Sequence, residues 1–140
     1  MDLKKICDNE IYSNKDIPIN ISKDILNFAE SGFKEIQTSK KVLDLFKSLG
    51  QKKIETEIAL TGLKTTLDTG REGPNIAVIG ELDGLPVPGH PYENKENGYA
   101  HACGHHAQIG SIFTVFMGLS NKKILNNLCG NITFMAVPAD

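Results

Sequence analysis

The chain has 140 residues, of which 40% are hydrophobic and 23% charged, enough for one globular domain with a real core and too few for two. A formal net charge of -2, with Lys and Arg interspersed among Asp and Glu, leaves no continuous basic face for a phosphate backbone and argues against nucleic acid as a partner. No apolar run approaches the roughly 20 residues that span a bilayer, and the start MDLKKICDNEIYSNKD lacks the apolar stretch of a secretory signal, so no membrane association and a cytoplasmic location are expected.

Three cysteines, Cys7, Cys103 and Cys129, are an odd number without framework spacing, as expected of reduced thiols. The first twenty residues carry little pattern. From Ser22, a serine suited to cap a helix, Ile25, Leu26 and Ala29 fall on one helical face, and the helix is predicted to end near Ser31 and Gly32. A second helix is predicted from about Ser39, where Val42, Leu45, Phe46 and Leu49 recur at helical spacing and Gly50 follows as a stop.

The Thr- and Ile-rich stretch from Ile54 to Leu67, with Gly62 in its middle, reads as two short strands around a turn at an antiparallel edge. Ile76 to Ile79 is an unbroken apolar run, expected of a strand buried on both faces, and Glu81 and Asp83 come directly after it. From Ala107 to Leu119 the chain is apolar almost all round, predicting a largely buried helix. The connection SNKKILNNLCG has room for a helical turn, and Ile132 to Val137 reads as another strand, stopped by Pro138 and followed by Asp140.

Strand, helix and strand in this order favour two parallel strands, with both strand ends and the helix N-terminus along one sheet edge. Ligands of open α/β sheets bind at that edge. It would gather Glu81, Asp83, Asp140 and the segment HACGHH, which holds three of the four histidines. A thiolate, neutral imidazoles and carboxylates suit a divalent metal ion. Gly104 permits the bend that could turn Cys103 and His105 toward one ion. His101 either bonds a neighbouring loop or ligates, His106 either ligates or turns away with the first helical turn, and His90 reads as a solvated loop residue.

The stretches FAESGFKEIQTS, GPNIAVIGELDGLPV, HACGH and VPAD together resemble the amidohydrolase and aminoacylase branch of the dinuclear metallopeptidases, over roughly Phe28 to Asp140. That branch includes hippurate, indole-acetyl-amino-acid and aminobenzoyl-glutamate hydrolases. The resemblance implies an α/β, three-layer, zinc-peptidase-like catalytic domain with a central mixed, largely parallel sheet and flanking helices, here incomplete. Residues 1–140 would be its N-terminal portion, without the dimerisation domain.

Cys103 and His105 would be metal ligands, Asp83 a nearby acid, and Asp140 the general base. The ions would be two, zinc or else manganese or cobalt. The implied substrate is a small amide, such as an N-acyl amino acid, an aminobenzoyl-glutamate-like compound or a dipeptide-like compound, and the parent protein would be a homodimer. His106 stands where the branch has Asp or Asn, and Asp140 is one methylene shorter than its Glu. The remaining ligands would lie beyond residue 140, so the chain alone is expected to be inactive or nearly so. Two other readings of the same residues are a cysteine hydrolase using Cys103 and a non-catalytic metal-binding domain.

Overall fold

The computed structural model describes residues 1–139; Asp140 lies outside the described residues. Helices α1 (Leu3–Ser13), α2 (Asp16–Leu26) and α3 (Ile36–Ser48) precede strands β1 (Ile54–Ile58), β2 (Gly62–Asp68) and β3 (Asn75–Glu81). A small pair follows, β4 (Leu85–Pro86) and β5 (Tyr99–Ala100), then α4 (His105–Leu119), α5 (Lys122–Leu125) and β6 (Asn131–Val137). The main sheet has the order β1-β2-β6-β3. It is mixed, as the resemblance implies: β3 and β6 are parallel, while β1 with β2 and β2 with β6 are antiparallel.

The strand–helix–strand unit forms as the sequence suggests. Asn75 to Glu81 pair in register with Asn131 to Val137, and Leu82 N–H donates to the Val137 carbonyl at 2.8 Å, carrying the ladder past the end of β3. Helix α4 lies directly on β3, because a Cβ at Gly80 would stand 2.8 Å from Ile112 Cδ1. Ile132, Phe134 and Ala136 of β6, with Leu63 and Leu67 of β2, point into the same core as Phe113 and Phe116. Phe46 of α3 sits at its centre, with ring centroids 4.5 Å from Phe113, 5.5 Å from Phe116 and 6.2 Å from Phe134. The other sheet face carries Lys64, Thr66, Thr133 and Met135, half-buried or exposed, so the described residues supply one sheet layer and one helix layer.

Three expectations need correction. The helix expected to begin at Ser22 begins at Asp16, with Ser22 inside it and the end at Leu26. Pro18 lies in the first turn, where its missing N–H is harmless, so the helix starts ahead of it. A separate helix, α1, precedes it, with Asp2 accepting from Lys5 N–H at 3.1 Å. Gly62 is not in the turn between β1 and β2 but opens β2. Ala59 and Leu60, at φ 48° and 80°, make the turn, and a Cβ at Gly62 would meet the Ile58 carbonyl oxygen at 2.7 Å.

The third correction concerns β3, expected to be buried on both faces. Ile76 and Ile79 are 56% and 58% exposed: Ile79 lies with Met135 on the face that α4 leaves open, whereas Ile76 is on the core side with Ile132 but stands exposed at the edge of the described sheet.

The segment between α2 and α3 is held by two buried carboxylates. Glu30 accepts from Thr38 N–H and Thr38 Oγ1, both at 2.7 Å, and from Gln37 N–H at 3.2 Å, so it caps α3 from seven and eight residues upstream. A carboxylate there also complements the positive end of the helix dipole. Glu35 accepts from Phe33 N–H at 2.8 Å and Thr61 Oγ1 at 2.5 Å. Burial pushes the Glu35 carboxyl above its usual range, and the negative Asp83 adds to the rise, against hydrogen bonds that lower it.

Phe46→Ala should destabilise the fold by about 3–5 kcal/mol, and Ile79→Ala by less than about 1 kcal/mol, both by urea unfolding. A raised folded-state pKa means that the folded chain binds the Glu35 proton more tightly than the unfolded chain, so this group's contribution to stability falls as pH rises through its titration. Glu35→Gln should therefore be more stable relative to wild type at pH 7 than below the carboxylate range, measured by urea unfolding at both pH values.

Candidate metal centre

At the C-terminal ends of β3 and β6 the chain turns away from the sheet and brings acids to the start of α4. Glu81 is the last residue of β3, and its N–H donates to Gln108 Oε1 at 3.0 Å, tying the strand end to the first turn of α4. Three residues on, Gly84 N–H donates to the Glu30 carbonyl at 2.8 Å. A Cβ at Gly84 would lie 2.9 Å from Ala29 Cβ and 3.0 Å from the Ala100 carbonyl oxygen, so only glycine fits where the chain carrying Asp83 passes between these segments. Gly104, at φ 91°, makes the bend into α4 that places His105 at the first helical position.

His105 then stands between two acids. Its Nδ1 lies 2.9 Å from both the Asp83 carbonyl oxygen and Asp83 Oδ1, and its Nε2 lies 2.9 Å from Glu81 Oε2. Both neighbours of Nδ1 are acceptors, so Nδ1 carries the proton and donates. In the neutral ring, Nε2 would then turn a lone pair toward a carboxylate oxygen. That arrangement calls for one further positive charge between Nε2 and Glu81, either a proton or a metal ion. Glu81, Asp83 and His105 offer donor atoms all within 4.8 Å of one another. Asp83 and His105 are buried and Glu81 half-buried, in a setting that strengthens charge interactions relative to water.

The donor set fits a divalent ion. Two carboxylates balance its charge, and Asp83 fixes the His105 tautomer that leaves Nε2 free to ligate, the carboxylate–imidazole support common in metal sites.

Cys103 is exposed and is not among these mutually close donors, and all three cysteines are free thiols. His101 is 3% exposed, and neither of its ring nitrogens has a hydrogen-bond partner among the described residues. His106 Nδ1 is likewise buried and without one. An unpaired buried nitrogen costs about 1–3 kcal/mol. Burial, then the neighbouring His106 and His105, lowers the His101 pKa to about 4, and burial followed by His105 lowers that of His106, so both rings are neutral at pH 7. His90 sits in a turn, its Nδ1 accepting from Tyr92 N–H at 3.1 Å.

Glu81 is the member of the group that the sequence places at the same edge but to which the resemblance assigns no role. Its signal was its place, two residues before Asp83 at the end of an apolar strand. No helix among the described residues is long and apolar enough to cross a membrane.

No family model matches the chain. The N-acetyldiaminopimelate deacetylase of Brevibacillus brevis is 29% identical over 123 residues, covering 86% of this chain and 32% of that protein. The N-acetylcysteine deacetylase of Bacillus subtilis is 28% identical over 125 residues, covering 87% of this chain and 32% of that protein. A dinuclear metal-binding peptidase from Bacillus subtilis superposes on 88% of this chain and 35% of its own, with a TM-score of 0.76 and 28% identity. The chain thus spans about a third of the length of the curated relatives it matches. Its homologues are deacetylases of N-acetylated amino acids, and in both sequence and fold it resembles the amidohydrolase and aminoacylase branch of the dinuclear metallopeptidases.

Proposed function

We propose that this chain contributes part of the centre of a metal-dependent amidohydrolase acting on N-acyl amino acids, with aminobenzoyl-glutamate-like and dipeptide-like amides as related substrates. The observation that carries this reading is the His105 imidazole, whose two nitrogens both face acidic oxygens at 2.9 Å. The two deacetylases to which the chain is similar support it from the side of substrate chemistry.

His105 Nε2 and Glu81 would hold a divalent ion, zinc or else manganese or cobalt, and Cys103 would serve as a further donor from the neighbouring turn. An ion held there supplies Lewis-acid polarisation of an amide carbonyl. Asp83 keeps the His105 ring in the ligating tautomer and stabilises positive charge on it. The Glu30 and Gly84 backbone bond keeps Asp83 in place, so that His105 is positioned before any substrate arrives. Asp140, outside the described residues, is the proposed general base, following β6 in sequence as Asp83 follows β3. The parent protein would act as a homodimer. The two ions that the resemblance implies need more protein ligands than His105, Glu81 and Cys103 supply, so we propose that residues 1–140 alone bind metal but turn over little or nothing.

The test uses the polypeptide that carries this sequence and N-acetyl amino acid substrates. Hydrolysis should disappear on chelation, return with zinc or manganese, and be abolished by His105→Gln. Activity indifferent to chelators but lost on alkylation of Cys103 would overturn the reading in favour of a cysteine nucleophile. Asp83→Asn should weaken zinc binding by about 10–100-fold, read by competition with a chromophoric chelator, because the neutral amide supports the imidazole less strongly.

A further inference from the structure

The centre around His105 leaves the neighbouring His101 and His106 without a role. His101 and His106 place three ring nitrogens in the interior, both of His101 and Nδ1 of His106, none with a hydrogen-bond partner among the described residues. The two ring centroids lie 5.7 Å apart, with planes inclined at 54°. Two imidazoles that bind one ion through nitrogens at about 2.0–2.1 Å have their centroids roughly 5–6 Å apart, since each centroid lies about 1 Å behind its nitrogen. Polar atoms buried in native proteins are nearly always paired, and groups left without a partner point to one that is missing.

We propose that His101 and His106 form a second nitrogen donor pair, beside the His105 centre, that takes a divalent transition-metal ion and makes this chain favour zinc or cobalt over magnesium or manganese. The inference rests on the reading of His105 as a metal ligand only in so far as the two sets adjoin; the donor pair itself is separate. Neutral imidazole is a borderline ligand that suits zinc, whereas magnesium and manganese favour carboxylate oxygens. His101 lies in the turn before α4 and His106 in the first turn of that helix. The bend at Gly104 folds one back toward the other, with Gly104 N–H donating to the His101 carbonyl at 3.2 Å.

The experiment titrates the metal-free 140-residue chain with Co(II) and Zn(II), following cobalt absorption, zinc stoichiometry against a chromophoric chelator, and long-range ¹⁵N imidazole NMR. Wild type is compared with His106→Asn, His101→Gln and His105→Gln. The half-buried position of His106 keeps the test open even if His101→Gln fails to fold. His106→Asn should lose one zinc equivalent or bind it at least about tenfold more weakly. His105→Gln should retain that equivalent, with His101 and His106 nitrogens shifting on zinc addition.

The inference is overturned if those nitrogens do not shift, or if His106→Asn binds both metals as wild type does, as a buried water bridging the rings would predict. Loss of all binding in His105→Gln, with His106→Asn unchanged, would leave the His105 centre standing and remove this pair. Loss in His106→Asn with His105→Gln unchanged would support the pair and remove the His105 centre.

Discussion

The contact on which the site depends is that of one imidazole with two acids. His105 donates through Nδ1 to Asp83 and presents Nε2 to Glu81, each at 2.9 Å. A neutral ring satisfies one of these contacts and not both, so the arrangement demands added positive charge at Nε2. Most of what surrounds the site serves to hold these three side chains together. The Glu81 N–H bond to Gln108 ties the strand to the helix, Gly84 admits the chain between Ala29 and Ala100, and Gly104 turns the chain into α4.

The supports reach further into the fold. Glu30 caps α3 through its side chain and accepts from Gly84 through its carbonyl, so the same residue fixes a helix start and the segment carrying Asp83. The negative charge of Asp83 is felt at Glu35, which links the buried carboxylates behind the site to the acid within it. A helix cap, a glycine passage and a metal-type donor set are therefore parts of one structure, with Phe46 and its aromatic neighbours as the core behind it.

The β3–α4–β6 unit was readable from the sequence because its signals are local. Two apolar runs with strand character flank a helix apolar all round, and such a unit has few ways to pack. The acids at the end of β3 and the histidines around the start of α4 were readable for the same reason, since strand ends and a helix start fix where they meet. What could not be read depends on distant partners. The cap of α3 is a side chain seven to eight residues upstream, a spacing outside the local capping patterns. The apolar run of β3 reads as a buried strand, but its exposure depends on which strands lie beside it. Helix α1 has no fully buried residue of its own, and it packs Cys7 against Gly118 in a way that periodicity does not show.

The cysteine that gave the HACGH motif its specificity is exposed, while its histidine is the residue the fold brings to the acids. Zinc-edge X-ray absorption on the zinc-loaded chain tests that arrangement most directly. The account predicts a shell dominated by nitrogen and oxygen at about 2.0–2.2 Å, with no more than the single sulfur of Cys103 beside it and with imidazole scattering that diminishes in His105→Gln. A shell dominated by sulfur at about 2.3 Å, unchanged by that substitution, would contradict it.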